Sequence, residues 1–488
     1  MKITNDLYGG SLALLTDLYQ FTMAYAFWKE GRGEEESVFN LFFRKNPFKG
    51  GFTITCGLSY VIEFLQQYQF VEEDLAYLRQ LKGHDQTPLF EEEFLSYLKN
   101  LKFQCQVDAI PEGTVVFPHE PLIRIQGPII QCQLLESPLL NLINYQSLVA
   151  TKAARVFEAA KGEMIMEFGL RRAQGIDGAL SASRAAYIGG CSSTSNVLAG
   201  KLFNIPVAGT HAHSWVMSFD NELEAFHRYA HAMPNNCVFL VDTYDTLQGV
   251  RHAIEVGKAL REQGKELLGI RIDSGDLAYF SNRARKMLDQ AGFQDAKIVA
   301  SNDLDENIIT SLNDQAADID TWGVGTKLVT AFDQPALGGV YKLSAVRKDE
   351  DWNYKLKLSE QAIKVNNPGI QQVRRFTSNG KMVADMIYDL NTELSEDYVL
   401  IDPMDVTRRK KITSGVSYRD LLEPIFKDGQ LVYHEPDIHE IREKVRNEIA
   451  QLDKAVRRFV NPHSYVVGLE KSLHHLKTEL ILKLRHLK

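Results

Sequence analysis

Two histidines sit one residue apart in GTHAHSW (209–215), directly after the apolar run IPVAG. That spacing suits more than one chemistry. An HxH pair can ligate zinc if a third or fourth ligand arrives from another strand end. A single imidazole can instead handle a phosphoryl group or diphosphate, with Thr210 and Ser214 as neighbouring hydroxyl donors. A pair of satisfied strand-end histidines with no chemistry is the third reading. His227 and His231 fall at i, i+4 on a following helix-patterned stretch and are expected to face away, and no further histidine closes a strand. The metal reading therefore lacks ligands.

Other stretches add to the phosphoryl reading. EFGLRRAQG (167–175) carries Arg171 and Arg172, whose guanidinium forks suit carboxylate or phosphate oxygens, although a structural ion pair would use them as well. Phe168 beside them can stack on a flat ring or pack in a core. RIDSGD (271–276) puts Arg271, Asp273 and Asp276 within one turn. Asp273 at a strand end can accept ribose hydroxyls or hold a magnesium-bound phosphate, while DSGD is also a good helix N-cap. WGVGTK (322–327) sets Gly323 and Gly325 beside Thr326, and consecutive N–H groups in such a turn form an anion nest. It lacks P-loop spacing. The set fits a ribose carrying phosphates plus a planar ring. No GxSxG elbow or Ser-His-Asp spacing is present.

These motifs need elements to hold them. Between about 146 and 345, short apolar strands alternate with amphipathic helices at a period of about 30 residues, the βα repeat. The expected strands are EMIMEFG, IPVAGT, CVFLVDTYD, LLGIRIDSGD, KIVASNDLD and IDTWGVGT. Asp220 is expected to cap the helix DNELEAFHRYAHAM. Every strand ends in a polar or glycine motif. An open doubly wound sheet needs such ends only at its switch point, whereas a (β/α) barrel gathers all of them at one mouth. The expected fold is therefore α/β, an irregular (β/α) barrel over 146–345. An α+β sandwich is expected over 1–145, joined by part of 346–400. A helix-rich C-terminal domain is expected over 400–488, with RRKKI and the later basic stretches as solvated faces.

The 488 residues exceed what one core usually spans. At 44% hydrophobic and 24% charged, the chain has a soluble globular composition, and a net charge of −8 excludes a general nucleic-acid binder. Its five cysteines form no CxxC pair, so neither a disulfide framework nor a zinc finger is indicated. No apolar run reaches the ~20 residues of a membrane span, and MKITNDLYGG lacks a signal pattern. A cytoplasmic protein is expected.

TDLYQFTMA, EFGLRRAQG, GTHAHS, RIDSGDL and VGTKLVTAFDQPALGGVYKL, in that order, resemble the nicotinate phosphoribosyltransferase family from about residue 14 to 345, with NPG near 367 also fitting. The resemblance implies transfer of phosphoribosyl from phosphoribosyl diphosphate to nicotinate, giving nicotinate mononucleotide and diphosphate. It also implies coupling to ATP hydrolysis with Mg2+, and a homodimer. His213 would be transiently phosphorylated, with Asp242 orienting its imidazole. His211 receives no catalytic role. Tyr19 would cover the pyridine ring from the partner subunit and Phe168 would stack on the other face. Arg171 and Arg271 would bind diphosphate or the nicotinate carboxylate. Asp273 would take the ribose hydroxyls, and Asn302, Gly325 and Thr326 would surround the 5′-phosphate. Ser195 stands where related nicotinamide enzymes place an aspartate. With Thr210, its hydroxyl would donate to a carboxylate, which favours the acid over the amide. A metal-dependent hydrolase, a quinolinate phosphoribosyltransferase and a degenerate binding protein are the competing readings.

Overall fold

The computed structural model describes residues 11–487 except Glu396 and Ser414, so the MKITNDLYGG opening lies outside the described residues. The chain divides into two compact units. One takes in Leu148–Pro335 and Ile438–Val445. The other gathers the chain up to Ser147, Ala336–Asp437 and the chain from Arg446 onward.

The first unit is built on a six-stranded parallel sheet. Its order is Ser193–Thr194, Met164–Glu167, Thr321–Val324, Lys297–Ser301, Gly269–Ile272, Val238–Leu240. Both faces are covered, so its strands read as unbroken apolar runs. Ile165, Phe239, Ile270, Ile298 and Trp322 are fully buried. The helix Thr246–Glu262 shows how a cover forms: Val250, Ala253, Val256, Gly257 and Leu260 recur at helical spacing and are buried, and the Asp245 side chain caps the helix by accepting from Gln248 N–H at 2.7 Å. The helix Glu222–Ala232 is capped by Asn221 rather than the expected Asp220. Both residue types cap equally well, and the register of the helix decides which one does.

IPVAGT does not become a full strand. It makes one bridge, in which Thr194 and Ala208 each donate a backbone N–H, to Pro206 and Thr194 respectively, both at 3.0 Å. Among the described residues no strand ladder joins this edge to the opposite edge strand, Val238–Leu240. A side chain makes the link. His211 Nε2 accepts the Leu240 N–H at 3.2 Å. The segment 207–211 thus starts paired to one edge and ends bonded to the other, which gives the expected irregularity a concrete form.

The second unit holds a seven-stranded and a six-stranded sheet. Gly339–Lys348 pairs antiparallel with Glu36–Phe43, so the chain joins this unit from Ala336, before the expected boundary at 345. The residues after 400 do not stand as a separate domain, which revises the expected boundaries. Glu423–Lys427 pairs with Gln106–Ala109, and Val467–Leu469 pairs with Lys381–Asp389. Strand edges need partners for their N–H and C=O groups, and these partners come from far along the chain. RRKKI lies partly on a strand: Arg409–Lys411 pairs with Val399–Ile401, with Arg409 and Lys411 exposed.

Candidate functional site

The C-terminal ends of the parallel strands carry the sequence motifs to one rim. Lys297–Ser301 lies between Gly269–Ile272 and Thr321–Val324, so Ser301 stands beside Arg271 and Asp273. Arg271 donates through Nε to Ser301 Oγ at 2.9 Å and through its terminal nitrogen to Asp273 Oδ1 at 2.7 Å. Ser301 Oγ also donates to Asp273. Burial favours the neutral acid, but the Ser301 hydroxyl and the Arg271 guanidinium outweigh it and hold the Asp273 carboxyl below its ordinary range. Asp273 is therefore ionised at neutral pH, and its Oδ2 lies 3.8 Å from His213 Nε2.

His213 opens the short helix His213–Met217. Its Nδ1 meets the Thr243 hydroxyl at 3.1 Å. The residue expected to orient it, Asp242, is committed elsewhere. Asp242 Oδ2 accepts the Asp273 N–H at 2.9 Å and the Ser274 hydroxyl at 2.6 Å, which braces the RIDSGD turn. Asp242 Oδ1 is buried and without a hydrogen bond among the described residues. Thr243 and Ser301 were missed by sequence reasoning. Both adjoin motif residues, at VDT and ASN, but a hydroxyl beside a strand end carries no signal of its own.

Phe168 follows Met164–Glu167, and Arg271 sits 5.6 Å from its ring centroid. Two glycines make room for it. A Cβ at Gly323 would stand 2.8 Å from the Phe168 ring, and one at Gly169 would stand 2.2 Å from Val329 Cγ1. Behind this turn lies a third residue the sequence did not reveal. Glu167 is fully buried and accepts the Gly169 N–H, the Thr194 hydroxyl and, at 2.8 Å, the Ser183 hydroxyl. It locks the FG turn to the neighbouring strand. Ser195 follows that strand, half-buried, with its N–H donated to Glu167 O at 2.9 Å.

Arg171 lies exposed in the short turn Leu170–Arg172. Thr210 donates its hydroxyl to His211 O at 3.2 Å, and Ser214 is exposed on the His213 helix. Asn302 has φ 101° and Asp303 φ 38°, both left-handed without being glycine. Such strain costs on the order of 1–3 kcal/mol and persists where the surroundings impose it, often at functional sites. Gly325 precedes the short helix Thr326–Val329. Tyr19 belongs to the other unit, half-exposed on the helix Leu18–Lys29. His211 and His213 have separate partners and do not act as a pair.

Three family models match the chain. The nicotinate phosphoribosyltransferase (NAPRTase) N-terminal domain matches residues 14–144 and the nicotinate phosphoribosyltransferase (NAPRTase) family model residues 164–361. The C-terminal domain of nicotinate phosphoribosyltransferase matches 370–477. The chain is 45% identical over 466 residues to a nicotinate phosphoribosyltransferase of Bacillus subtilis (strain 168), across 94% of this chain and 93% of that protein. It is 34% identical to one from Homo sapiens, across 96% of each. The crystal structure of human nicotinic acid phosphoribosyltransferase matches at TM-score 0.83 and 31% identity, across 95% of this chain and 99% of that one.

Proposed function

The chain belongs to the nicotinate phosphoribosyltransferase family, an enzyme family of NAD salvage, and on that premise we propose that its strand-end rim performs ATP-coupled transfer of phosphoribosyl to nicotinate. The observation that carries this reading is the Arg271–Ser301–Asp273 cluster facing His213 across 3.8 Å.

Asp273, kept ionised by its neighbours, accepts ribose hydroxyls through Oδ2. The pyridine nitrogen of nicotinate attacks C1 of the ribose as the bond from C1 to the diphosphate oxygen breaks. Positive charge develops on the ring while negative charge grows on the leaving group. Arg171 and the remaining guanidinium nitrogen of Arg271 stabilise the leaving diphosphate. Phe168 stacks on the pyridine, and Tyr19 of a partner subunit covers its other face in a homodimer. Ser195 donates to the nicotinate carboxylate. Thr210 already donates to His211 O, so it turns before it can help. Asn302, Gly325 and Thr326 receive the 5′-phosphate.

A magnesium ion fits the donor set, because Asp242 Oδ1 is a buried carboxylate oxygen without a partner beside the Asp273 turn. Asp242 and Asp273 would hold it, and it would supply positive charge to the diphosphate oxygens.

ATP enters through His213. With Nδ1–H donating to Thr243 Oγ1, Nε2 keeps its lone pair. Nε2 attacks the γ-phosphorus, the bond to the bridging oxygen breaks, and ADP leaves. The phosphohistidine then presents negative charge toward Asp273 and Arg271. Its later hydrolysis resets the rim.

The test is mononucleotide formation from nicotinate and phosphoribosyl diphosphate, with and without ATP, for wild type and His213→Ala. Product in both proteins, with ATP stimulation only in wild type, is the expected result. Equal ATP stimulation of both would overturn the phosphohistidine assignment.

A further inference from the structure

The unit that carries the antiparallel sheets holds a cavity of about 510 Å³. Arg408, Arg409, Lys410 and Arg458 line it against one carboxylate, Asp402. The chain as a whole carries −8, so the sign is inverted locally. The strand Arg409–Lys411, paired with Val399–Ile401, places Arg409 and Lys410. Not all are free. Arg408 pairs with Asp405 at 3.3 Å, and Lys410 donates to Val383 O at 2.9 Å. Arg409 and Arg458 each commit only Nε, to Val406 O and Ala455 O, both at 3.2 Å. Neither forms an ion pair among the described residues. Asp402 spends Oδ1 on the N–H groups of Met404 and Asp405.

The charge of Arg409 reaches a neighbouring imidazole. Burial, then Lys477 and Arg409, hold the His474 imidazole below its usual range. Burial, with Lys477 and Arg44 adding, lowers His119 to about 4. Like charges gathered in a concavity repel one another unless an anion joins them.

A second cavity of about 310 Å³ shares the Pro462–Tyr465 turn with the first. No Lys or Arg lines it among the described residues. Its one carboxylate is Asp402, shared with the first cavity; the Asn46 amide, the Ser464 hydroxyl and His119, whose low pKa keeps it uncharged, are neutral. Phe117 and Pro118 supply an apolar wall. One compartment gathers four cations; the other has none among the described residues and is part apolar. Together they reach the size of small-molecule sites.

We propose that this double cavity is a binding site for a nucleoside di- or triphosphate, with the phosphates on Arg409 and Arg458 and the base and sugar in the part-apolar compartment that lacks cations. It lies on a different unit from the parallel-sheet rim and uses none of the residues assigned to the transfer reaction.

Calorimetric titration with ADP tests the site. Wild type and Arg271→Ala are both expected to show it, because Arg271 belongs to the rim. Arg409→Ala/Arg458→Ala is expected to bind ADP there at least about tenfold more weakly, since each removes charge-assisted hydrogen bonds. Its thermal midpoint is expected to stay within about 2 °C of wild type, because both arginines are exposed and make one carbonyl contact each. Should that variant unfold, Arg409→Gln/Arg458→Gln is titrated instead. Asp402→Asn, which keeps the accepting Oδ1, is expected to tighten ADP binding. Inorganic diphosphate is expected to bind more weakly than ADP, and adenosine not measurably. Unchanged ADP binding in both double variants, no tightening in Asp402→Asn, or loss of all ADP binding in Arg271→Ala each overturns the proposal. Diphosphate binding at this site as tight as ADP, read as the binding lost in the double variant, would overturn the nucleoside assignment.

Discussion

His211 Nε2 accepts the Leu240 backbone N–H, and this one bond ties together the two edges of the parallel sheet. The bond requires Nε2 to be unprotonated. Burial supplies that condition by lowering the His211 pKa to about 4. The Leu240 donor is itself buried, so it has no water to turn to. The residue assigned no catalytic role by resemblance therefore holds the segment that carries His213.

His211→Phe should lose about 1–3 kcal/mol, the cost of leaving a buried N–H unsatisfied. Urea unfolding midpoints at pH 7 would read it. The acid dependence has a definite sign. The folded pKa, about 4, lies below the ordinary 6.5. The unfolded chain binds the proton first, so this contribution is fully present above 6.5 and falls as pH drops toward 4. His211→Phe should lose stability less steeply than wild type between those values. Equal slopes would show that His211 does not titrate as its burial implies.

Thr243→Val removes the hydroxyl that meets His213 Nδ1 at 3.1 Å. Labelling of the enzyme by γ-phosphate-labelled ATP should slow by roughly 3- to 10-fold, the worth of one ordinary hydrogen bond. ATP-independent product formation should hardly change, and Thr243→Ser should restore labelling. A loss of basal turnover matching the loss of labelling would assign Thr243 a different role.

Ser195→Asp places a carboxylate where a hydroxyl now stands at the end of Ser193–Thr194. The ratio of kcat/KM for nicotinate over nicotinamide should fall by at least about tenfold, through repulsion of the acid and acceptance from the amide. An unchanged ratio would remove Ser195 from the specificity assignment.

Gly323→Ala introduces a methyl group 2.8 Å from the Phe168 ring. The ring must tilt, so KM for nicotinate should rise several-fold while KM for phosphoribosyl diphosphate moves less. Both moving equally would place Phe168 away from the pyridine.

Glu167→Gln swaps an oxygen that accepts for an amide that donates, in a pocket whose three neighbours all donate. A loss of about 1–3 kcal/mol is expected, read by thermal unfolding.

The strand-end motifs could be read from the sequence because each combines a local pattern with a chemical type. RIDSGD shows both at once, and its Arg271 and Asp273 do meet, with Ser301 joining them unannounced. Relations between segments were harder to read. That Asp242 braces the 273–274 backbone while Thr243 meets His213 depends on side-chain direction at a strand end, which alternates by residue. Glu167 hides because an isolated acid in EFG looks solvent-facing until Ser183 and Thr194 surround it. The pairing of Glu423–Lys427 with Gln106–Ala109 spans more than 300 residues, beyond any periodic signal.

That long-range pairing also sets a timetable for synthesis. The apolar strand Glu36–Phe43 leaves the ribosome early, but its partner Gly339–Lys348 follows some 300 residues later. At roughly 5–20 residues per second, one edge of ESVFNLFF stays open for about 15–60 seconds in every nascent chain. Unpaired apolar edges recruit other strands. The growing polypeptide therefore has a built-in interval of vulnerability, during which a holdase would matter more than at any time after release.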